Sequence, residues 1–199
     1  MFLASSNRGK LEEFRDLAAA DGANLRLELL AGFADITAFE EKATTIAENA
    51  AGKAMYYGRG VDDWVMADDS GLVVPSLGGA PGVRSSRYAG VEGDAALNIR
   101  KLLGALEGKT GAEREARFVC VLALARAGRV QAVFSDSVDG TILEAPRGAG
   151  GFGYDPVFFH PPSGKTFAEL PRGEKNRLSH RGRAFAKLAA YLRRPAGVL

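Results

Sequence analysis

Hydrophobic positions recur along the chain with two periods, and the changes of period mark the elements. FLAS, residues 2–5, is a short apolar run that ends in the polar string Ser5, Ser6, Asn7 and Gly9; Leu11, Phe14, Leu17 and Ala18 then follow at helical spacing. This predicts strand, polar loop and helix. TTIAENAAGKAMYY, residues 44–57, predicts a second helix: Ile46, Ala50, Ala54 and Tyr57 share a face, and Gly58 and Gly60 end the pattern. Asn49 and Lys53 stand four residues apart on it. WVMAD reads as a short buried strand capped by the double aspartate Asp68 and Asp69, and LVVPSLGGAPG as a turn through Pro75. Leu97, Leu102, Leu103 and Leu106 support a further helix. RFVCVLALA and VQAVFSDSV flank Ala127 and Gly128 as a long β-hairpin. TILEA and DPVFF are predicted strands. From Glu174 one helix is expected, carrying Ala184, Phe185, Leu188, Ala189 and Leu192 and ending at Arg193, Arg194 and Pro195. Strands alternating with helices, then a hairpin, predict an α/β fold with a mixed β-sheet flanked by helices. No repeat or linker divides residues 1–199, so a single domain is expected.

Composition removes several classes. At 199 residues and 46% hydrophobic the chain can bury a full core, which excludes a disordered or fibrous protein. Lysine plus arginine number 26 against 24 acidic residues, with no long run of one sign, so no nucleic-acid partner is expected. MFLASSNRGK lacks a basic segment followed by a long apolar one, and no apolar stretch approaches a membrane span; the expectation is a cytoplasmic protein with no membrane partner. Cys120, the single cysteine, lies inside FVCVLALA and reads as core filler, and two histidines with one cysteine cannot build a zinc cluster.

The chemistry is concentrated in four strings. Successive strand residues point to opposite faces, so of Asp68 and Asp69 only one need be a metal ligand, the other facing away. Mg2+ is commonly held by one or two carboxylates plus substrate phosphates; Glu40 or Glu41 can supply the second carboxylate. Alternatively, the pair caps a turn before Gly71. SSNRGK can cradle a phosphate through the Ser5 and Ser6 hydroxyls, helix-start amides and the Lys10 ammonium, although a plain helix N-cap also accounts for it. The glycines at 148, 150, 151 and 153 allow close backbone approach, and Phe152 and Tyr154 beside Asp155 offer a stacking face with an acceptor, as a purine base requires, or else form an inward-packed hairpin. Lys175, His180 and Arg181 in EKNRLSHRG can donate to keto oxygens or simply begin a charged helix.

SSNRGK, AENAAGKA, ADDSGL, LGGAPGVRSSRYAG, ARFVCVLAL, GGFGYDPVFF, GKTFAEL and EKNRLSHRGRA occur in the order found in one family. Over nearly its whole length the chain resembles the Ham1/RdgB-type inosine triphosphate pyrophosphatases, also called dITP/XTP pyrophosphatases. The resemblance implies hydrolysis of ITP, dITP and XTP to the monophosphate and pyrophosphate with Mg2+, in a homodimer whose protomers have two lobes and a central cleft. It implies phosphate contacts from Ser5, Ser6, Asn7, Arg8, Gly9, Lys10, Asn49, Lys53 and Ser70, metal ligation by Glu41 and Asp69, and a base role for Asp69. Base recognition falls on Phe152, Gly153, Tyr154, Asp155, Lys175, His180 and Arg181. Two departures stand out. Ser6 replaces a frequent glycine, which matters if the loop needs a positive φ there. EKATTIAEN replaces a more usual E-T-G-x-T-F-x-E-N around Glu41.

The expected mechanism is electrostatic: cation and lysines neutralise the phosphates, Asp69 takes the proton of the attacking water, and donors aimed at a 6-keto oxygen disfavour adenine. The alternatives are a Maf-like enzyme acting on other modified or pyrimidine nucleotides, against which GGFGYD and SHRGRA argue, and a catalytically silent nucleotide-binding protein, against which Lys10, Lys53 and Asp69 argue.

Overall fold

The computed structural model describes residues 1–22 and 25–193. Seven strands and five helices organise them: β1 (Phe2–Leu3), α1 (Arg8–Ala20), β2 (Glu28–Leu29), α2 (Ile46–Tyr57), β3 (Trp64–Val73), α3 (Ala95–Ala105), β4 (Glu115–Arg126), β5 (Arg129–Ile142), β6 (Phe158–His160), β7 (Lys165–Thr166), α4 (Arg172–Leu178) and α5 (His180–Leu192). The strands form one sheet in the order β2-β1-β3-β4-β5-β6-β7. It is mixed, as expected: β1 is parallel to β2 and β3, while β6 is antiparallel to β5 and β7. The middle strand, β4, is buried without a break from Cys120 to Ala125, which is why FVCVLALA reads as a continuous apolar run rather than an alternation. Ala127 and Gly128, both at positive φ (49° and 70°), turn the chain from β4 into β5, the backbone that a two-residue hairpin loop requires.

The chain divides into two compact units. The first comprises Met1–Asp69, Cys120–Asp136 and the segment beginning at Arg181; the second comprises Ser70–Val119 and Ser137–His180. Each has its own core. In the first, Leu3, Phe14, Leu17, Met66, Leu122, Phe185 and Leu188 pack together, joining β1, α1, β3, β4 and α5. In the second, Leu72, Leu102, Leu106, Phe118, Phe158 and Phe167 do so, with Phe118 and Phe167 stacked at 5.9 Å.

Three expectations are corrected. Asp68 and Asp69 do not cap a strand: β3 runs through them to Val73, because each has a lysine partner that makes an extended, buried carboxylate tenable. TILEA is no separate strand, since Thr141 and Ile142 are the end of β5. The last helix is two helices, broken at Ser179, whose extended backbone (φ −68°, ψ 154°) ends α4 before α5 begins at His180. Arg193 follows α5, while the expected stop at Arg194 and Pro195 lies outside the described residues.

Candidate active site

In the first unit, the loop after β1 is built by its own polar side chains. Ser5 Oγ accepts from the Asn7 N–H at 3.1 Å, and Asn7 Oδ1 caps α1 by accepting from the Lys10 N–H at 3.2 Å. Ser6, Asn7, Arg8 and Gly9 are exposed around this helix start. Among the described residues Ala127 is the one non-glycine with positive φ, so Ser6 occupies the loop with an ordinary backbone.

Side-chain alternation along β3 sends the two aspartates to different partners. Asp68 is buried and lies 3.0 Å from Lys10 Nζ, with Arg181 Nη2 at 3.9 Å; Arg181 Nη1 donates to Glu13 Oε2 at 2.8 Å. Burial is the largest influence on Asp68 and raises its pKa, but Lys10, Arg181 and Lys53 together outweigh it and hold the carboxyl well below the usual range. Asp68 is the hub of a chain Glu13, Arg181, Asp68, Lys10, in which all but the partly exposed Lys10 are buried. Glu13 was not among the residues singled out from sequence, yet it sits four residues before Leu17 on the apolar face of α1, where a buried charge demands a partner.

Asp69 faces Lys53. The Lys53 ammonium lies 2.9 Å from Glu41 Oε1 and 3.3 Å from Asp69 Oδ1, and all three side chains are largely shielded. Burial pulls the Lys53 pKa down, but Asp69, Asp68 and Glu41 reverse this and leave it raised. For Asp69 the balance goes the other way: burial pushes its pKa above the ordinary value, reinforced by Glu41 and Asp68 and opposed by Lys53. Asp69 Oδ2 is buried with no hydrogen-bond partner. Glu40, by contrast, pairs with Lys42 in solvent, so of the two neighbouring glutamates it is Glu41 that joins the cluster.

The segment that presents Glu41 is tied to α2. Asn49, fully buried, accepts from the Ala43 N–H at 3.2 Å; Tyr57 Oη accepts from the Phe39 N–H at 2.9 Å; Tyr56 Oη donates to the Thr37 carbonyl at 2.9 Å. The Phe39 ring lies over Gly52, where a β-carbon would stand 2.6 Å from Cζ. Asn49 Nδ2 is a buried donor with no partner, and so is the hydroxyl of Ser70, the first residue of the second unit.

In the second unit, the glycine-rich loop before β6 gathers Phe152, Asp155 and Lys175. Asp155, buried, accepts from the Phe152 N–H at 2.7 Å and pairs through the same oxygen with Lys175 of α4. The Lys175 ammonium lies 4.3 Å from the Phe152 ring centroid, and the ring is 54% exposed. Tyr154 differs from the expectation of a stacking surface. It is buried in the core, its hydroxyl donates to the Ser85 carbonyl at 2.9 Å, and burial followed by the nearby Tyr88 pushes its pKa up. A carbonyl on GVRSSRYAG takes up the tyrosine's one polar group, so Phe152 alone presents an aromatic face. Gly153 has φ 58°, turning the chain between the two aromatics. His180 is buried and stacks on Phe118 at 4.7 Å and 9°. Arg181, grouped with Lys175 and His180 from sequence, belongs to the first unit, and its carboxylate partners there are Glu13 and Asp68.

The fold is that of an α/β protein on one mixed sheet, whose first unit holds a carboxylate–lysine cluster and whose second holds an aromatic–lysine loop. Residues 1–191 match the model of the Ham1 family, and the chain belongs to that family. It is 50% identical over 186 residues to a dITP/XTP pyrophosphatase of Geobacillus kaustophilus, covering 94% of this chain and 90% of that one. It is also 50% identical over 188 residues to a dITP/XTP pyrophosphatase of Gloeobacter violaceus, covering 94% and 91%. Among solved structures, a HAM1 protein from Coxiella burnetii is similar with a TM-score of 0.85 at 39% identity, covering 96% of each chain. No helix among the described residues is long and apolar enough to cross a membrane.

Proposed function

We propose that this chain hydrolyses deaminated purine nucleoside triphosphates, ITP, dITP and XTP, to the monophosphate and pyrophosphate. The observation that carries the reading is the Glu41, Lys53 and Asp69 cluster, a largely shielded pair of carboxylates around an ammonium in a chain half identical to dITP/XTP pyrophosphatases. The cluster fits a divalent cation. Glu41 and Asp69 supply hard oxygen donors, and Asp69 Oδ2 is a buried acceptor with no partner. Among the described residues no group of three or more His, Cys, Asp or Glu could hold a metal, and a cation that takes its remaining ligands from phosphates does not need one. We assign Mg2+ to this place; when bound, it supplies charge neutralisation for the phosphates and lowers the pKa of water.

The chain's own groups then divide the work. Asp69, its pKa raised by burial, accepts the proton of the water that attacks phosphorus as the anhydride bond breaks and pyrophosphate leaves. Lys10 and Lys53 oppose the charge on the phosphates, and Ser5, Ser6, Asn7, Arg8 and Gly9 place the helix-start amides of α1 toward them. Asn49 Nδ2 and the Ser70 hydroxyl are further phosphate donors, which accounts for two buried polar atoms with nothing to bond. In the second unit, Phe152 stacks on the base, with Gly153, Tyr154 and Asp155 shaping its seat, and Lys175 and His180 donate toward a keto oxygen. An adenine, which presents an amino donor there, leaves those donors unpaired. Arg181 is held instead by Glu13 and Asp68 of the first unit. The reading further places the enzyme in the cytoplasm as a homodimer.

The test is pyrophosphate release from ITP, XTP, dITP, GTP, ATP and UTP with Mg2+. Turnover concentrated on the first three is expected; equal turnover of all six, or a preference for UTP, would reject the assignment.

A further inference from the structure

At Gly151 the place of the missing side chain is occupied by another residue's carboxylate. Gly151 has φ 72°, and a β-carbon built there would overlap Asp155 Oδ2, with Asp155 Cγ at 2.8 Å and Cβ at 2.9 Å. The loop around it is held on both sides. Gly150 N–H donates to the Ala168 carbonyl at 3.1 Å, Ala168 N–H donates to the Asp155 carbonyl at 3.3 Å, and a β-carbon at Gly150 would stand 2.9 Å from the Ala168 carbonyl oxygen. The loop therefore cannot retreat to make room, and Asp155 has two short rotatable bonds with which to do so.

What the seat secures is the geometry of the aromatic face. From its place against Gly151, Asp155 Oδ2 accepts the Phe152 N–H at 2.7 Å and pairs with the Lys175 ammonium, which in turn lies 4.3 Å from the Phe152 ring. One carboxylate oxygen thus fixes both the backbone that carries the ring and the cation beneath it. Lys175 is only 7% exposed, so without that oxygen its charge has little water to fall back on and must move. We propose that Gly151 is a positioning residue for base selection: by leaving its β-carbon site empty it seats Asp155, and through Asp155 it sets the spacing of Phe152 and Lys175. The inference rests on the assignment of Phe152 and Lys175 to the base end of the substrate.

The experiment is a double-mutant cycle on the full chain with Gly151→Ala, Asp155→Gly and the pair together, reading kcat and KM for ITP and ATP and the urea unfolding midpoint of each variant. An alanine at φ 72° carries backbone strain whatever its surroundings, and the cycle separates that strain from eviction of the carboxylate. Gly151→Ala is expected to raise KM for ITP by tenfold or more with a smaller effect on kcat, and to shrink the ITP-to-ATP preference. In the Asp155→Gly background the same substitution should change both quantities less than twofold, because the carboxylate it evicts and the β-carbon it would meet at 2.9 Å are both gone. An unchanged ITP-to-ATP ratio in Gly151→Ala, or equal effects in both backgrounds, overturns the proposal. Should Gly151→Ala fail to fold, recovery of folding in the double variant supports the seat, and failure of both overturns it. A wild type that shows no preference for ITP sinks the functional assignment instead, and the unfolding cycle then decides the seat alone: coupled midpoints keep it, additive ones remove it.

Discussion

At the residue scale, two adjacent aspartates do opposite things because strand geometry hands them different neighbours. Asp69 is ionised at a cost: its pKa is raised, chiefly by burial, so the folded state favours its proton. Replacing it by the neutral, isosteric asparagine removes the charge on which both of its proposed roles, proton acceptor and metal ligand, depend. Asp69→Asn should lower ITP turnover by a factor on the order of 10³ while leaving the unfolding midpoint at pH 7 unchanged or slightly higher, the signature of a functional group held against stability. Steady-state rates and urea curves on one preparation check it; near wild-type turnover would remove Asp69 from the mechanism. Asp68 is the reverse case, held ionised by Lys10 and Arg181, and its loss is a matter of stability as much as of the placement of Lys10.

At the element scale, α2 acts as a template for the segment that brings Glu41 to Lys53. Gly52 is the point of contact, since the Phe39 ring covers it. Alanine there improves helix propensity by about 0.5–1 kcal/mol. Its β-carbon, 2.6 Å from Phe39 Cζ, must nonetheless push the ring and the segment behind it outward. Gly52→Ala should therefore fold at least as well as wild type, yet need several-fold more Mg2+ for half-maximal activity; an unaltered Mg2+ activation curve would show that Glu41 is placed by other means. The same elements show what periodicity can reveal. α1, α2 and α3 were legible because each carries a sustained apolar stripe, and β4 because its central place demands apolar residues on both faces. β2 and β7 were not, being two residues long, too short for any period. The break at Ser179 was hidden because neither glycine nor proline marks it and the apolar spacing simply resumes in α5. In the site, Lys53 and Asn49 were legible from their four-residue spacing on one helix. The Glu13–Arg181 pair, separated by 168 positions in the chain, has no local signature beyond a glutamate on an apolar face.

At the scale of the whole molecule, the first unit carries its charged groups inside its hydrophobic framework, and its stability should be correspondingly sensitive to acid. The folded pKa of Asp68 lies below the ordinary carboxylate value, which is about 3.9 in the unfolded chain. Its contribution is thus fully present above that value and is lost as pH falls through the folded pKa. Asp69, with its raised pKa, works in the opposite sense and partly offsets this, but Asp68 is the more strongly perturbed of the two, so the net slope follows Asp68. Trp64, the only tryptophan, opens β3 and packs against the core of the first unit, so its fluorescence reports the unit that holds both groups. Urea unfolding followed by Trp64 should show a midpoint that is flat through neutral pH and falls steeply below about pH 4. Asp68→Asn should be less stable at pH 7 by about 3 kcal/mol, the typical cost of breaking one side of a buried ion pair. Below pH 4 the two curves should draw together, meeting only once pH has fallen through the lowered folded pKa of Asp68, where the wild-type carboxyl has lost the same charge. Parallel curves that keep their separation into acid would mean that Asp68 stabilises the unit through packing or hydrogen bonding, and that the Lys10 and Arg181 ammonium and guanidinium charges are not what holds it there.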